Sequence, residues 1–207
     1  MKKFLHFGLI TLLILCSSFS VFAEEMAKPE IGKQAPNFEL MGADGKAYNL
    51  ADFKGKFVVL EWINFDCPFV KKQYQKSGKM PSLQQQFTEK GVVWLSICSS
   101  AEDKQGNFSR DVLEARMKAE KHSATAYLLD ADGKVGKMYD AKTTPHMFVI
   151  NPKGELAYMG AIDSIRSTDP EDIPKAKNYV SDALNALLSG KEVEKKVSKP
   201  YGCSVKY

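Results

Sequence analysis

The run FVVLEWINF, from Phe57 to Phe65, constrains the fold more than any other segment of this chain. Apolar residues occupy both alternating sets of positions along it, so a strand here has no face suited to water. Such runs are typical of central strands, usually parallel, in sheets that are covered on both sides. The segment therefore predicts layers of structure on each face of one sheet.

Other segments supply the partners of that strand. GVVWLSI, Gly91 to Ile97, predicts a second buried strand, and AYLLD, Ala126 to Asp130, predicts a third. A turn at Asp44-Gly45 predicts a short hairpin, and residues Met147 to Ala161 predict another that turns at Pro152-Lys153-Gly154.

Three helical regions are predicted between and after these strands. The first begins at Cys67-Pro68, is interrupted near Gly78 and restarts at Pro81. The second covers Asn107 to Lys121. The apolar face of the last helix is predicted to consist of Ile173, Ala176, Val180, Ala183, Leu184 and Leu187. The order of strands and helices predicts an α/β sandwich with a mixed sheet.

The amino terminus has the features of a secretory signal peptide over residues 1–23. Two lysines precede an apolar stretch, residues 7–15, and Ala23 ends a small-residue pattern suited to cleavage. The apolar stretch is shorter than the ~20 residues that a spanning helix needs. A lipid anchor on Cys16 is a weaker alternative, because Leu15 stands where that processing needs a small residue. We therefore expect an exported protein, periplasmic or secreted, that does not span a membrane after cleavage.

The mature chain has little net charge. Loss of Lys2 and Lys3 leaves 27 basic residues of the 29, against 25 acidic ones, a net charge of +2. So small a balance gives no reason to expect a nucleic-acid partner. We expect one domain over residues 24–190 and a charged tail over residues 191–207 that carries Cys203.

Three cysteines, Cys67, Cys98 and Cys203, remain after cleavage. Export places them where thiols tend to oxidise, and an odd count leaves at least one thiol free or shared between partners. Cys67 follows a buried strand and precedes a helix, a position where ligands bind in open α/β sheets. A helix start also favours a thiolate over a thiol. Cys67 is therefore the candidate nucleophile.

Glu61 is a lone carboxylate inside the apolar run, six residues before Cys67. Burial of its charge is costly, so we expect a raised pKa and a role in proton transfer to and from the thiol. The alternative is a glutamate at the edge of the sheet that reaches solvent.

The chain resembles the thioredoxin superfold in three features. These are the segment FVVLEWINFDCPF, the acid six residues before the cysteine, and Thr144-Pro145 before a hairpin. Across nearly the whole mature chain the pattern is similar to peroxiredoxin-like thioredoxin proteins of the alkyl-hydroperoxide-reductase and thiol-specific-antioxidant group. GCSVKY, which ends the chain, resembles the ending of one exported subgroup.

The resemblance implies a thioredoxin-like fold and roles for particular residues. Cys67 matches the first cysteine of the C-x-x-C motif, Glu61 the buried acid beneath it, and Pro145 a cis-proline that faces the thiol. Thr144 then offers its backbone to an extended substrate. The expected substrate-binding residues are Trp62, Asn64, Pro68, Phe69, Thr144 and His146.

Two departures from the pattern affect the chemistry. Val70 stands in place of the second cysteine of the motif, so a local disulfide cannot form. Leu60 and Asn64 stand where the peroxidase signature has a proline and a threonine, although Asn64 retains a hydrogen-bond donor.

A nucleophilic thiol that forms a sulfenic acid or a mixed disulfide needs a second thiol to release it. Cys203 is the first candidate, because the tail ends in an apolar cluster suited to docking near Cys67. Cys98 is the second, since neighbouring parallel strands end at the same edge of the sheet. Alternatively, Cys98 is core packing, or Cys98 and Cys203 form a structural disulfide that fixes the tail.

We therefore expect an exported thiol-disulfide oxidoreductase or antioxidant protein that attacks a protein disulfide or a peroxide with Cys67. Its catalytic residues are Cys67, Cys203, Glu61 and Pro145, and it uses an unidentified reductant, no metal and no cofactor. One alternative is a copper-binding protein of the same fold that uses Cys67 and His146, although Lys71 replaces the second copper-binding cysteine. Another is a non-catalytic binding module.

Overall fold

The computed structural model describes residues 28–207, and the predicted signal peptide, residues 1–23, lies outside them. The strands of this region are β1 (Glu39–Gly42), β2 (Ala47–Asn49), β3 (Val58–Trp62), β4 (Val93–Cys98), β5 (Ala126–Leu129), β6 (Thr143–Thr144), β7 (His146–Ile150), β8 (Leu156–Gly160) and β9 (Cys203–Ser204). Seven of them form one sheet in the order β2-β1-β5-β4-β3-β7-β8, and β6 pairs with β9 in a separate two-stranded sheet.

β3 is the central strand that the sequence predicts, although it is shorter than the run Phe57 to Phe65. It pairs parallel with β4 and antiparallel with β7, and all five of its residues are buried. β4 pairs parallel with β5. Both predicted hairpins are present, as the antiparallel pairs β1–β2 and β7–β8. The mixed character of the sheet is confirmed.

The α-helices are α1 (Pro68–Lys71), α2 (Lys79–Thr88), α3 (Arg110–Ala119), α4 (Lys134–Met138) and α5 (Tyr179–Leu188). A π-helical segment, Lys72–Lys76, continues α1, and short 3-10 helices cover Leu50–Phe53 and Pro170–Lys175. α2 starts at Lys79, two residues before the predicted restart. Gly78 precedes it with a φ of +63°, and Pro81 falls within its first turn, where its missing N–H is tolerated. The sequence did not predict α4.

The last helix is shorter than predicted. Ile173 and Ala176 lie outside α5, because Pro174 stands in the preceding 3-10 segment and Asn178 caps a new helix. The side chain of Asn178 accepts a hydrogen bond from the amide of Ser181 at 2.8 Å. The buried face of α5 therefore consists of Val180, Ala183 and Leu184.

Two apolar cores lie on opposite faces of the sheet. The first contains Val59 and Ile63 of the β3 segment together with residues of α2 and α5. The second contains Val58, Leu60 and Trp62 together with Val135 of α4 and Tyr139. The arrangement is the thioredoxin-like α/β fold that the resemblance implied. None of the helices within residues 28–207 has both the length and the apolarity to cross a bilayer.

The tail after α5 runs back over the domain. It first lies beside β8 and makes two hydrogen bonds with Met159. The amide of Met159 donates to the carbonyl oxygen of Lys196, and the carbonyl oxygen of Met159 accepts from the amide of Ser198. It then forms β9 against β6. Its last residue, Tyr207, donates its hydroxyl to the carbonyl oxygen of Ala141 at 2.9 Å. The tail therefore crosses the end of the sheet at which Cys67 lies.

Candidate active site

Cys67 stands immediately before α1, in extended conformation, and its side chain is 0 % exposed. Its amide donates to the carbonyl oxygen of Asn64 at 3.0 Å, which closes the turn between β3 and α1. Its thiol donates to the carbonyl oxygen of Thr144 at 3.0 Å. The Thr144–Pro145 peptide bond is cis, as the resemblance implied. The turn and the loop before β7 therefore meet at this sulfur.

The tail brings Cys203 to the same point. In the antiparallel β6–β9 pair, Cys203 lies directly opposite Thr144. Cys203 is thereby close enough to Cys67 for each thiol to shift the pKa of the other. Gly202 allows this approach, because a Cβ on it would lie 2.1 Å from the carbonyl oxygen of Thr144. The three cysteines within residues 28–207 are all free thiols in this structure.

The pKa of the Cys67 thiol lies below its ordinary value. Burial acts to raise it, but donors around the sulfur outweigh burial. These donors include the thiol and amide of Cys203 and the amide of Val70. A thiolate at Cys67 is therefore stabilised chiefly by groups of the tail.

The pKa of Cys203 moves in the opposite direction, to about 12. Burial is the largest cause, followed by hydrogen bonding to Cys67 and repulsion from its negative charge. Two neighbouring thiols cannot both ionise at little cost. Of the two thiols, Cys67 therefore ionises first, and Cys203 keeps its proton to a higher pH.

Glu61 is fully buried in β3, between two other strands, so the alternative of a glutamate at the sheet edge is wrong. Its Oε1 accepts from the hydroxyl of Tyr74 at 2.9 Å. Its Oε2 accepts from three groups, the side chains of Gln84 (3.0 Å), Trp94 (2.8 Å) and Ser96 (3.1 Å). Burial nevertheless raises the pKa of Glu61, as predicted. The hydrogen-bond partners of Glu61 do not include Cys67, so its role in proton transfer stays a prediction.

The turn before Cys67 is held by polar side chains. Asn64 donates its amide to the carbonyl oxygen of Gln105 at 2.9 Å and accepts from the amide of Asp66 at 2.9 Å. Arg116 of α3 contacts the carboxylate of Asp66 at 3.0 Å and the carbonyl oxygen of Phe65 at 3.1 Å. The Asn64 amide, expected to bind substrate, therefore serves the turn. No pattern in the sequence predicted the part that Arg116 plays.

Comparisons with known proteins show which family this chain belongs to. The family model described as AhpC/TSA family matches residues 31–159. The chain belongs to the AhpC/TSA family. It is 29 % identical over 160 residues to the thiol-disulfide oxidoreductase ResA of Bacillus thuringiensis subsp. konkukian, covering 75 % of this chain and 86 % of that protein. It is 26 % identical over 170 residues to the peroxiredoxin Bcp of Bacillus subtilis, covering 76 % of this chain and 94 % of that protein.

Among solved structures, this AhpC/TSA chain is similar to an uncharacterised conserved protein from Geobacillus kaustophilus. The TM-score is 0.74 at 29 % sequence identity, covering 86 % of this chain and 92 % of that one. The likeness therefore extends beyond the residues that the family model matches, into the carboxyl-terminal part of the chain.

Two residues expected to bind substrate in this AhpC/TSA protein point away from Cys67. Trp62 is fully buried in the second core and donates its indole N–H to the hydroxyl of Ser99 at 2.9 Å. His146 lies opposite Trp62 in the β3–β7 pair, and its ring packs on Phe148 at 4.5 Å. Both face the side of the sheet opposite Cys67, so we leave Trp62 and His146 out of the proposed site.

That placement also weakens the copper alternative. Burial lowers the pKa of His146 to about 4, and its Nδ1 accepts from the amide of Lys142 at 3.3 Å. Among residues 28–207 no cluster of three or more histidine, cysteine, aspartate or glutamate side chains has metal-binding geometry. Cys67 and His146 do not form a shared ligand set.

Cys98, the second candidate for the resolving thiol, lies at the carboxyl end of β4 as predicted. It is 5 % exposed, and its thiol donates to the carbonyl oxygen of Gly106 at 3.4 Å. Its other polar neighbour is the hydroxyl of Tyr127. Cys203, rather than Cys98, is therefore the cysteine beside Cys67 in this AhpC/TSA protein.

The remaining residues around the thiol belong to α1 and the tail. Pro68 is exposed next to Cys67, and Phe69 is half-buried. The ring of Tyr201 packs against Phe69 with centroids 5.7 Å apart. The hydroxyl of Tyr201 donates to Asp163, a buried residue that the sequence did not single out. Sequence patterns do not predict this hydrogen bond, because Asp163 and Tyr201 are 38 positions apart in the chain.

Proposed function

We propose that this protein is a thiol-disulfide oxidoreductase in which Cys67 is the nucleophile and Cys203 is the resolving thiol. The observation that carries the proposal is that Cys203 lies opposite Thr144 in the β6–β9 pair, and that the carbonyl oxygen of Thr144 accepts from the Cys67 thiol at 3.0 Å. A lowered pKa favours the thiolate, which is the attacking species in disulfide exchange. Membership in the AhpC/TSA family and the likeness to proteins named thiol-disulfide oxidoreductase support a redox function.

The reaction proceeds by two displacements. The Cys67 thiolate attacks one sulfur of a substrate disulfide, and the other substrate sulfur leaves as a thiolate. Cys203 then attacks the Cys67 sulfur of the mixed disulfide and releases the second substrate thiolate. The substrate gains two electrons, the protein gains a Cys67–Cys203 disulfide, and the two thiol protons pass to the released sulfurs. An external dithiol reverses the sequence and restores the reduced protein.

The raised pKa of Cys203 fits this order of events. When Cys67 ionises, its negative charge repels a second charge on Cys203 and accepts a hydrogen bond from the Cys203 thiol, so Cys203 stays protonated. Formation of a mixed disulfide removes the charge of Cys67, and with it one of the causes that keep Cys203 protonated. Cys203 therefore becomes a better nucleophile once Cys67 has reacted.

Disulfides suit this site better than peroxides. Leu60 and Asn64 stand in place of the proline and threonine of the peroxidase signature. The Asn64 amide is already bonded to Gln105 and Asp66. We propose a protein disulfide as the substrate class, with peroxide as the second candidate because the chain is also similar to a peroxiredoxin. The amino-terminal pattern adds that the protein acts after export, as a periplasmic or secreted protein.

Disulfide mapping by mass spectrometry tests the proposal. The mature protein is treated with about one equivalent of oxidised glutathione or hydrogen peroxide, which stops oxidation early. We expect a Cys67–Cys203 disulfide that is lost in Cys203→Ser and kept in Cys98→Ser, and that forms faster with the disulfide oxidant. A Cys98–Cys203 disulfide with an unreactive Cys67 contradicts the proposal and favours a non-catalytic binding module.

A further inference from the structure

Asp163 connects the two parts of the chain that carry the reactive sulfurs. It lies just after β8 and is only 4 % exposed. Its Oδ1 accepts from the hydroxyl of Tyr201, in the tail, and from the amide of Ile165 at 3.0 Å. Its Oδ2 accepts from the side-chain amide of Gln73 at 3.0 Å. Both oxygens of one buried carboxylate are therefore engaged, by the tail on one side and by the helix that follows Cys67 on the other.

The ring of Tyr201 makes a second connection between the same segments. Tyr201 stands two residues before Cys203, and Phe69 stands two residues after Cys67. Their rings pack edge to face, with centroids 5.7 Å apart and planes at 63°. One tyrosine therefore contacts the Cys67 helix directly through its ring, and indirectly through its hydroxyl by way of Asp163 and Gln73.

This connection lies between two other attachments of the tail. On one side, the tail bonds to Met159 of β8. On the other side, β9 pairs with β6, a pair only two residues long on each strand. So short a pair is weak by itself. A charge-assisted hydrogen bond to a buried carboxylate is among the stronger polar contacts. Its donor here, Tyr201, stands two residues before Cys203.

We infer that Asp163 is a positioning residue for the resolving step, and that through Tyr201 and Gln73 it holds Cys203 against Cys67. The inference rests on the proposed function. Asp163 takes no part in the bond changes, in which Cys203 attacks the Cys67 sulfur and the substrate thiolate leaves. Its effect is on the effective concentration of the Cys203 thiol at Cys67.

The expected consequence follows from comparing the two redox forms. In the disulfide form a covalent bond holds the tail in place, whether or not Asp163 binds Tyr201. In the dithiol form only non-covalent contacts hold it, so loss of the Tyr201 contact lets the reduced tail leave Cys67 more often. Tyr201→Phe should therefore lower the equilibrium constant for Cys67–Cys203 disulfide formation with glutathione by about tenfold, a typical effect of a hydrogen bond to a charged group.

The experiment measures that equilibrium constant in glutathione buffers, together with the two rates of reaction with oxidised glutathione. Tyr201→Phe removes one hydroxyl and keeps the ring on Phe69. Resolution of the mixed disulfide should slow by a similar factor, whereas the first attack by Cys67 should not slow. Tyr179→Phe is the matched control, because the hydroxyl of Tyr179 has no hydrogen-bond partner within residues 28–207. Asp163→Asn keeps the volume and removes the charge, so it is a second variant should Tyr201→Phe be poorly folded.

The outcomes separate the inference from the proposed function. If the unmodified protein forms the Cys67–Cys203 disulfide and both variants match Tyr179→Phe, the role of Asp163 is overturned and the proposed function stands. If the unmodified protein forms no such disulfide, the proposed function fails and the inference fails with it. The inference is supported if Tyr201→Phe and Asp163→Asn show a lower equilibrium constant and slower resolution while Tyr179→Phe does not.

Discussion

Cys203 lies directly opposite Thr144 in an antiparallel pair of strands. The carbonyl oxygen of Thr144 is also the atom to which the Cys67 thiol donates. The tail of the chain thus occupies the backbone edge at which the resemblance expected an extended substrate. Cys67 is fully buried with the tail in this position, so we expect a substrate to reach it only when the tail moves.

The first prediction concerns Cys203→Ala and the reactivity of Cys67. The change removes a thiol that donates to the Cys67 sulfur and covers it. We expect the midpoint pH of Cys67 alkylation to rise toward the ordinary cysteine value of about 8.5, and the rate at high pH to increase. Mass spectrometry of the Cys67 peptide after iodoacetamide treatment measures both. Cys98→Ala is the control and should change neither, and an unchanged midpoint in Cys203→Ala would show that the tail does not tune the thiol.

The second prediction concerns Gly202→Ala. A Cβ there lies 2.1 Å from the carbonyl oxygen of Thr144, and the φ of Gly202 is +146°. The tail must shift, so we expect Cys67–Cys203 disulfide formation to slow by about 10²-fold, a typical result of misplacing a reacting group by about 1 Å. Gly190→Ala is matched to it, with a φ of +69° and nothing within 4 Å. Equal rates in the two variants would mean that close packing at Gly202 is unnecessary.

The third prediction concerns Glu61→Gln and pH. Burial raises the folded-state pKa of Glu61 above its unfolded value, so its contribution to stability is present at low pH and is lost as the pH rises through the folded pKa. Glutamine keeps the size of the side chain and does not titrate. We expect the free energy of unfolding of the unmodified protein, relative to Glu61→Gln, to fall as the pH rises above the ordinary glutamate pKa of about 4.3. Urea unfolding at several pH values measures the difference, and a constant difference contradicts the raised pKa.

The fourth prediction concerns the buried histidines. Burial lowers the pKa of both His122 and His146 to about 4. Their unfolded-state pKa is about 6.5, so the unfolded chain binds more protons between these values, and stability is lost as the pH falls through this window. We expect His146→Asn and His122→Asn each to reduce the slope of stability against pH by about 1.4 kcal/mol per pH unit at full effect. An unchanged slope in both variants would show that neither histidine is buried neutral.

Much of the sheet follows from local sequence. The apolar run around Glu61 has no face for water, and this alone requires a central strand covered on both sides. The hairpin turns and the position of Cys67 between a strand and a helix follow from residue type and spacing, because turn chemistry and helix starts are local properties. The last helix shows the limit of such patterns. Ile173 and Ala176 have helical spacing, but Ile173 lies in a separate 3-10 segment that contains Pro174, and Ala176 is the extended residue that ends that segment.

The tertiary structure decided which side chains meet at the thiol. Strand pairing places Trp62 and His146 on the face opposite Cys67, and spacing within one segment does not reveal which face its partner buries. The sequence predicted a role for Cys203. Its position near Cys67 depends on two long-range contacts, the close packing of Gly202 against Thr144 and the hydrogen bond between Tyr201 and Asp163, 38 residues apart. Such contacts depend on where the folded domain brings distant segments together. The sequence by itself determined the central strands of the sheet and predicted Cys67 as the candidate nucleophile, whereas only the packing of the tail brings Cys203 to the strand beside it.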